Sequence, residues 1–190
     1  VTVTDSTGRH YTGGKVIVTV PITILKQGRI RFSPALPNEQ TAAFARIGMD
    51  AGMKVFLKFT KRFYDENIVG GSVCAAYADE RIGKTGNDHV LLAFVMGKQA
   101  EFLNNLGSDE AITAALLAEL DGMYNGQASA CFIASVVANW TKNPHIQGAY
   151  SYSPVGMGNA RKIAAQPVGN KVFFAGEAMN TNGHHQTVFG

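Results

Sequence analysis

The stretch that most narrows what this chain can become is Val172-Phe173-Phe174-Ala175-Gly176-Glu177-Ala178. A run of β-branched and aromatic residues reads as a buried strand. It stops at a glycine, where other atoms can approach the backbone closely. A carboxylate follows at once, then the polar segment from Met179 to Gln186, and Thr187-Val188 reads as a helix start. A strand that closes on Gly-Glu before a polar loop and a helix is how an α/β sheet offers backbone amides and one anionic side chain beyond its strand ends.

Composition limits the alternatives. With 190 residues, 46% of them hydrophobic, the chain is long enough to bury one core or two modest ones. The net charge of +3 is mild, and Lys and Arg are scattered singly or in pairs such as Lys61-Arg62 and Arg161-Lys162, which argues against nucleic acid as a partner. The longest apolar segment, 128–138, is broken by serines and too short to cross a bilayer; it reads as a strand. Two cysteines, Cys74 and Cys131, match no metal or redox spacing, so no disulfide framework is expected. A reducing, cytoplasmic compartment is only the default that cysteine usage gives. The chain lacks an initiating Met and starts and stops inside apparent structural elements, which reads as a piece of a longer protein.

Val1 to Thr12 reads as a hairpin around Asp5-Ser6-Thr7-Gly8, and Lys15 to Val20 as a strand closed by Pro21. Pro34 and Pro37 favour an extended connector. Asn38 is placed as the N-cap of a short helix that stops at Gly48. In Gly52 to Phe59, Val55, Leu57 and Phe59 fall on one strand face, the core face, and Lys54, Phe56 and Lys58 on the other. Further strands are expected over Ser72 to Ala78, His89 to Met96 and Phe132 to Ala138. Ser108-Asp109-Glu110 opens the strongest helix, with a core stripe of Ile112, Leu116, Leu120 and Met123 ending near Asn125-Gly126.

Four stretches resemble, in order, the flavin-dependent amine oxidases. They are the segment Val18 to Pro37, the strand bearing Lys54, the segment from Trp140 to Tyr152, and the Phe-Ala-Gly-Glu terminus with its Thr-Val-x-Gly step. The resemblance implies an α/β (α+β) fold in which a mixed-sheet substrate domain is inserted between segments of an FAD-binding Rossmann-like domain. It divides the chain into residues 1–37, a flavin-domain hairpin and connector; 38–138, the substrate-binding domain; and 139–190, the return to the flavin domain.

What the resemblance implies for the site is specific. Lys54 matches the family lysine held by a water at the reactive flavin nitrogen, where a lysine shielded from water can shuttle a proton; a lysine snorkelling from a strand, as expected of Lys58, is the bland alternative. Trp140 and Tyr150 match aromatics that line the amine site, where cation–π attraction adds about 0.5–2 kcal/mol for a charged amine. Gly176 and Glu177 match the cofactor-binding turn, and Thr187 and Val188 the helix start that faces the flavin. Ala149 stands where monoamine oxidases carry the flavin-bonding cysteine, so FAD is expected to be held non-covalently. Thr187 stands where a second cage tyrosine would be, and Phe189 replaces the usual His. His184-His185 have no third ligand at metal spacing, and no metal is expected. The substrates implied are an amine and molecular oxygen, with an L-amino acid oxidase as the alternative. The non-enzyme alternative is an inert fragment or partner-binding module, because no G-x-G-x-x-G lies within these residues. By itself the stretch is therefore expected to be inactive, and its protein partner is either a second copy or an N-terminal chain that carries the missing segment.

Overall fold

The computed structural model describes residues 1–187, arranged as two compact bodies: one made of residues 1–50 with the C-terminal segment from His145, the other of Ala51–Pro144. In the first segment β1 (Thr2–Thr4) and β2 (His10–Thr12) form the expected antiparallel hairpin. Its turn is held by Asp5, whose Oδ1 accepts from the Thr7 and Arg9 amides. β3 (Val16–Val18) follows, then α1 (Ile22–Lys26), a single helical turn where an extended connector is expected. Pro21 stands at the N-cap of α1, where its missing N–H costs nothing, and Ile22 and Leu25 are buried. α2 (Asn38–Arg46) begins one residue earlier than read, with Pro37 rather than Asn38 as N-cap, and β4 (Gly48–Met49) closes the segment.

The middle body holds β5 (Gly52–Phe59), β6 (Asn67–Val69), β7 (Ala76–Asp79), β8 (His89–Met96), α3 (Gly97–Asn105), α4 (Asp109–Tyr124), α5 (Gln127–Cys131) and β9 (Phe132–Asn139). The strands form one sheet in the order β6-β7-β8-β5-β9. Where a mixed sheet is expected, every pairing in it is antiparallel. The reason is topological: β6, β7 and β8 follow one another as a meander, while the three helices carry the chain from β8 over β5 to β5's other edge. Met53, Val55, Leu57 and Phe59 bury completely against Leu91, Ala93 and Val95 of β8 and against Leu103, Ile112, Leu116 and Leu120 of the helices. Ser108 caps α4 by accepting from the Ala111 amide, and Asn125 in the left-handed region ends it. Met123, read as part of the stripe, is 40% exposed. In that last turn Tyr124 packs instead, edge-on to Phe63 with centroids 5.5 Å apart. The start of the 128–138 segment is helical rather than extended, since Ala128 and Cys131 bury their small side chains on α5.

The run from Ser72 to Ala75 is a clamped loop, not a strand. Glu119 of α4 accepts from the Val73 and Cys74 amides at 2.6 and 3.0 Å, from Ser72 Oγ and from Tyr77 Oη. Gln99 pins the same loop by accepting from the Ala75 amide and donating to the Gly71 and Ser72 carbonyls. The loop amides, bound by side chains, are not offered to a neighbouring strand. Cys74 lies buried beneath it, and burial pushes its thiol up to about 11. Both cysteines are free.

The returning segment adds β10 (Ser151–Tyr152), α6 (Ala160–Ala164), β11 (Val172–Phe174) and a 3₁₀ turn over Glu177–Met179. β11 pairs in parallel with β3, and β10 antiparallel with β4. Phe44, Ile22 and Ile47 pack with Ala160, Ala164 and Phe174, and Gln40 donates to the Ala164 and Gln166 carbonyls at 3.0 and 2.7 Å. α2, read as the opening of the middle domain, thus belongs to the core of the terminal body. Among the described residues no helix is long and apolar enough to cross a membrane.

Burial by itself would raise the Glu119 carboxyl, but the hydrogen bonds from Tyr77, Val73, Cys74 and Ser72 outweigh it and hold the group below its ordinary value of 4.5. A carboxyl depressed in the folded state stabilises above its unfolded value, and that contribution is lost as pH falls through the folded value. Glu119→Gln, which turns an amide nitrogen toward loop amides, is expected to cost about 1–3 kcal/mol at neutral pH. Denaturant titrations across pH should also show that it removes part of the wild-type loss of stability below about pH 4.5.

Candidate functional site

Glu177 begins at a backbone irregularity. β11 ends at Phe174, and Gly176 takes φ +115 and ψ 172, a conformation that is almost confined to glycine. A Cβ there would meet nothing closer than the Thr19 carbonyl at 3.9 Å, so the backbone stands open to an approaching group. The turn that follows sends the Glu177 carboxylate back toward β10. Ser151, fully buried, donates its amide to Glu177 Oε1 at 3.1 Å and its hydroxyl to Oε2 at 2.7 Å. The Gln186 amide donates to Oε2 at 2.9 Å. A carboxylate has about four acceptor positions, and Oε1 takes a single protein donor among the described residues, so it retains capacity for a donor from outside.

Behind Ser151 lies a cation that the sequence reading assigns no role. Arg161 on α6 is 5% exposed. Its Nη1 donates to Ser151 Oγ and to the Ala178 carbonyl, both at 2.8 Å, and its Nε to Ser153 Oγ at 3.4 Å. Nη2 is buried with no partner among the described residues. Burial lowers the guanidinium from its ordinary value, and the Glu177 charge works against that shift. In the sequence Arg161 sits in an ordinary basic pair, and only the contacts distinguish it from Lys162, which faces solvent.

Tyr150, half-buried, immediately precedes Ser151, and Thr187 immediately follows Gln186, donating its hydroxyl to the His184 carbonyl at 2.6 Å. The fold therefore gathers Gly176, Glu177, Tyr150 and Thr187 within the terminal body. Val188 and the helix start expected there lie outside the described residues. Ala149 donates its amide to the Asp50 carbonyl at 2.9 Å. The His184 amide donates to Asn180 Oδ1, and no three His, Cys, Asp or Glu side chains among the described residues are grouped as metal ligands would be.

The middle body carries the other two expected residues. Lys54 opposes Phe94 on β8 and Ala138 on β9, on the sheet face opposite the core. Its Nζ lies 5.8 Å from the Phe94 ring centroid, and among the described residues it has no ion-pair partner. Lys58, two positions along the same face, is bound to Asp88 at 2.6 Å. Trp140, 42% exposed, follows β9 directly. The next residue, Thr141, locks this end to the start of β5: its Oγ1 accepts from the Gly52 amide at 2.7 Å and its amide donates to the Gly52 carbonyl. Lys54 and Trp140 are thus held at one end of the sheet. A groove of about 580 Å³ between α4 and β9 includes neither of them; among its lining residues Thr113 and Ser135 are hydrogen-bonded to each other at 2.9 Å.

Residues 1–190 match the family of flavin containing amine oxidoreductases along their whole length. The chain belongs to that family. Among its relatives, lysine-specific histone demethylase 1 homolog 3 of Arabidopsis thaliana is 35% identical over the whole chain, lysine-specific histone demethylase 2 of Homo sapiens is 32% identical over the whole chain, and probable polyamine oxidase 4 of Arabidopsis thaliana is 31% identical over 91% of it. The chain spans 12%, 24% and 35% of those proteins. In fold it is similar to a putrescine oxidase redesigned in its cofactor binding (TM-score 0.84, 21% identity, 98% of this chain and 42% of that one). It is also similar to cyclohexylamine oxidase from Brevibacterium oxydans (TM-score 0.75, 22% identity, 93% and 40%). Membership of this flavin amine oxidoreductase family implies a flavin cofactor, and the mixed α/β architecture agrees with it. The open backbone at Gly176 and the acceptor position that Glu177 keeps among the described residues are features that a bound flavin nucleotide fits.

Because the Gly176 conformation is disfavoured for any side chain, Gly176→Ala is expected to cost about 1–3 kcal/mol in thermal or denaturant unfolding. Gly14→Ala, at a position with open space and no positive φ, should leave the midpoint unchanged.

Proposed function

We propose that this chain is part of an FAD-dependent amine oxidase, in which the terminal body belongs to the flavin domain and the middle body is the substrate-binding domain. The observation that carries the reading is the Glu177 carboxylate, oriented by three hydrogen bonds beside the open Gly176 backbone, with an acceptor position left over for a cofactor hydroxyl. The chemistry that FAD supplies when bound is acceptance of a hydride from the carbon next to the amine nitrogen, giving an imine that water converts to a carbonyl, with oxygen taking the electrons as hydrogen peroxide. Gly176, Glu177, Thr187 and Val188 are assigned to the cofactor and Tyr150 and Trp140 to the amine.

Lys54 is assigned to the proton transfers. It sits half-buried over an aromatic ring with no ion-pair partner among the described residues, so its ammonium is not committed there to a structural ion pair as that of Lys58 is. A lysine so placed can hold or pass a proton, or fix a water, as oxygen is reduced or the imine hydrolysed. The relatives named for polyamines and methylated lysine favour an alkyl amine over a free amino acid as substrate.

A peroxide-coupled screen on the full-length protein tests the assignment: polyamines or methylated-lysine peptides should give peroxide, and turnover confined to free amino acids would replace the proposed substrate class. Lys54→Met should slow flavin reoxidation or turnover at least about tenfold, a barrier change of about 1.4 kcal/mol, with Lys58→Met as the control. Unchanged half-reactions in stopped flow would make Lys54 structural. With Ala149 in place of a cysteine, and Cys74 and Cys131 both buried and outside the flavin motifs, FAD should be non-covalent. Acid precipitation should leave the yellow colour in the supernatant; flavin in the pellet would contradict this.

A further inference from the structure

The hydroxyl between Arg161 and Glu177 can be oriented in one way only. A guanidinium has donors and no acceptor, and an ionised carboxylate has acceptors and no donor. The Ser151 hydroxyl therefore accepts from Arg161 Nη1 at 2.8 Å and gives its single proton to Glu177 Oε2 at 2.7 Å. The same guanidinium holds the Ala178 carbonyl at 2.8 Å, one residue beyond Glu177, and so fixes the turn that carries the carboxylate as well as the serine that aims it. No direct ion pair joins Arg161 and Glu177 among the described residues, so the arginine does not occupy the carboxylate's remaining acceptor position. A neutral side chain in its place would leave the Ser151 hydroxyl free to rotate and Glu177 held by one backbone amide at each oxygen, Ser151 at Oε1 and Gln186 at Oε2.

From this geometry we infer that Arg161 is a positioning residue for the flavin nucleotide: acting through Ser151 and the Ala178 carbonyl, it holds Glu177 with its spare oxygen position turned out to accept a hydroxyl of the bound cofactor. The inference rests on the reading of Glu177 as a cofactor residue. Its distinctive consequence is thermodynamic coupling, since a residue that acts through Glu177 has nothing to act on once that carboxylate is gone.

The test is a double-mutant cycle on the full-length protein, prepared as apoprotein and titrated with FAD, with the dissociation constant read from the change in flavin fluorescence. Arg161→Met and Glu177→Gln should each weaken FAD at least tenfold, and the double variant should bind no more than about twofold worse than the weaker single. Arg161→Lys, which keeps the charge but not the planar fork that reaches Ser153 from a second nitrogen, should fall between wild type and Arg161→Met; it takes the place of Arg161→Met in the cycle if the latter does not fold. Effects that multiply in the double variant would overturn the inference and leave Arg161 a residue of the α6 packing alone. So would FAD affinity unchanged in Arg161→Met and Arg161→Lys. If instead Glu177→Gln binds FAD as wild type does, it is the assignment of Glu177 that fails, and the proposed role of Arg161 falls with it.

Discussion

The terminal body depends on a strand pairing that closes across the whole middle of the chain. Val16, Ile17 and Val18 of β3 align in parallel with Val172, Phe173 and Phe174 of β11. Neither strand has enough residues to persist alone, and together they still form only a two-stranded ribbon, so their stability comes from what packs on them. That packing is also long-range in sequence. Phe174 lies 5.5 Å from the Phe44 ring and 6.1 Å from Phe32, and Gln40 reaches the carbonyls at the end of α6. Contacts this distant in sequence carry a loop-closure cost, which the middle body reduces by bringing its own ends together through Gly52 and Thr141.

From this pairing the Glu177 site follows. β11 ends at Phe174, the Gly176 conformation turns the chain, and the carboxylate is delivered to Ser151 on the short β10, which is itself held by β4. Gly48 of β4 allows that pairing, because a Cβ at this position would stand 2.4 Å from the Tyr152 ring. Four segments far apart in sequence thus determine the direction of one carboxylate, whose orientation is a property of the folded body and not of the Gly-Glu turn alone.

Where hydrophobic period and turn chemistry agreed, the fold was legible in the sequence. The alternation through Val55, Leu57 and Phe59 identified the core face of β5, and Ser108 with its two acids located the start of α4 to the residue. The signal failed where side chains from elsewhere took the backbone's hydrogen bonds. Ser72 to Ala75 has the composition of a strand, but its amides are taken by Glu119 and Gln99 from two helices. A similar limit hid α1, a helical turn too short for periodicity to report, and the role of Arg161, whose neighbours in sequence give no hint of Ser151. The Gly176-Glu177 turn was singled out by its wording at Phe-Ala-Gly-Glu, but its support by Ser151 and Arg161 was not.

Lys58 and Lys54 show why sequence pattern identifies a face but not a function. Both lie on the same side of β5, at the same spacing from core residues, and propensity treats them alike. Their surroundings separate them: Lys58 meets the exposed carboxylate of Asp88, while Lys54 lies over the Phe94 ring and opposite the small Ala138. An ion pair this exposed is screened by water, so the Lys58 contact adds little to stability, yet it satisfies the ammonium locally. Over Phe94, Lys54 is attracted only weakly and is left with hydrogen-bonding capacity, which can be used by a water or a bound molecule. Arg161 is the opposite case, a cation removed almost wholly from water and bound to Ser151, Ser153 and Ala178. An ammonium without an ion-pair partner among the described residues and a guanidinium fixed by three acceptors are thus two different uses of positive charge in one chain.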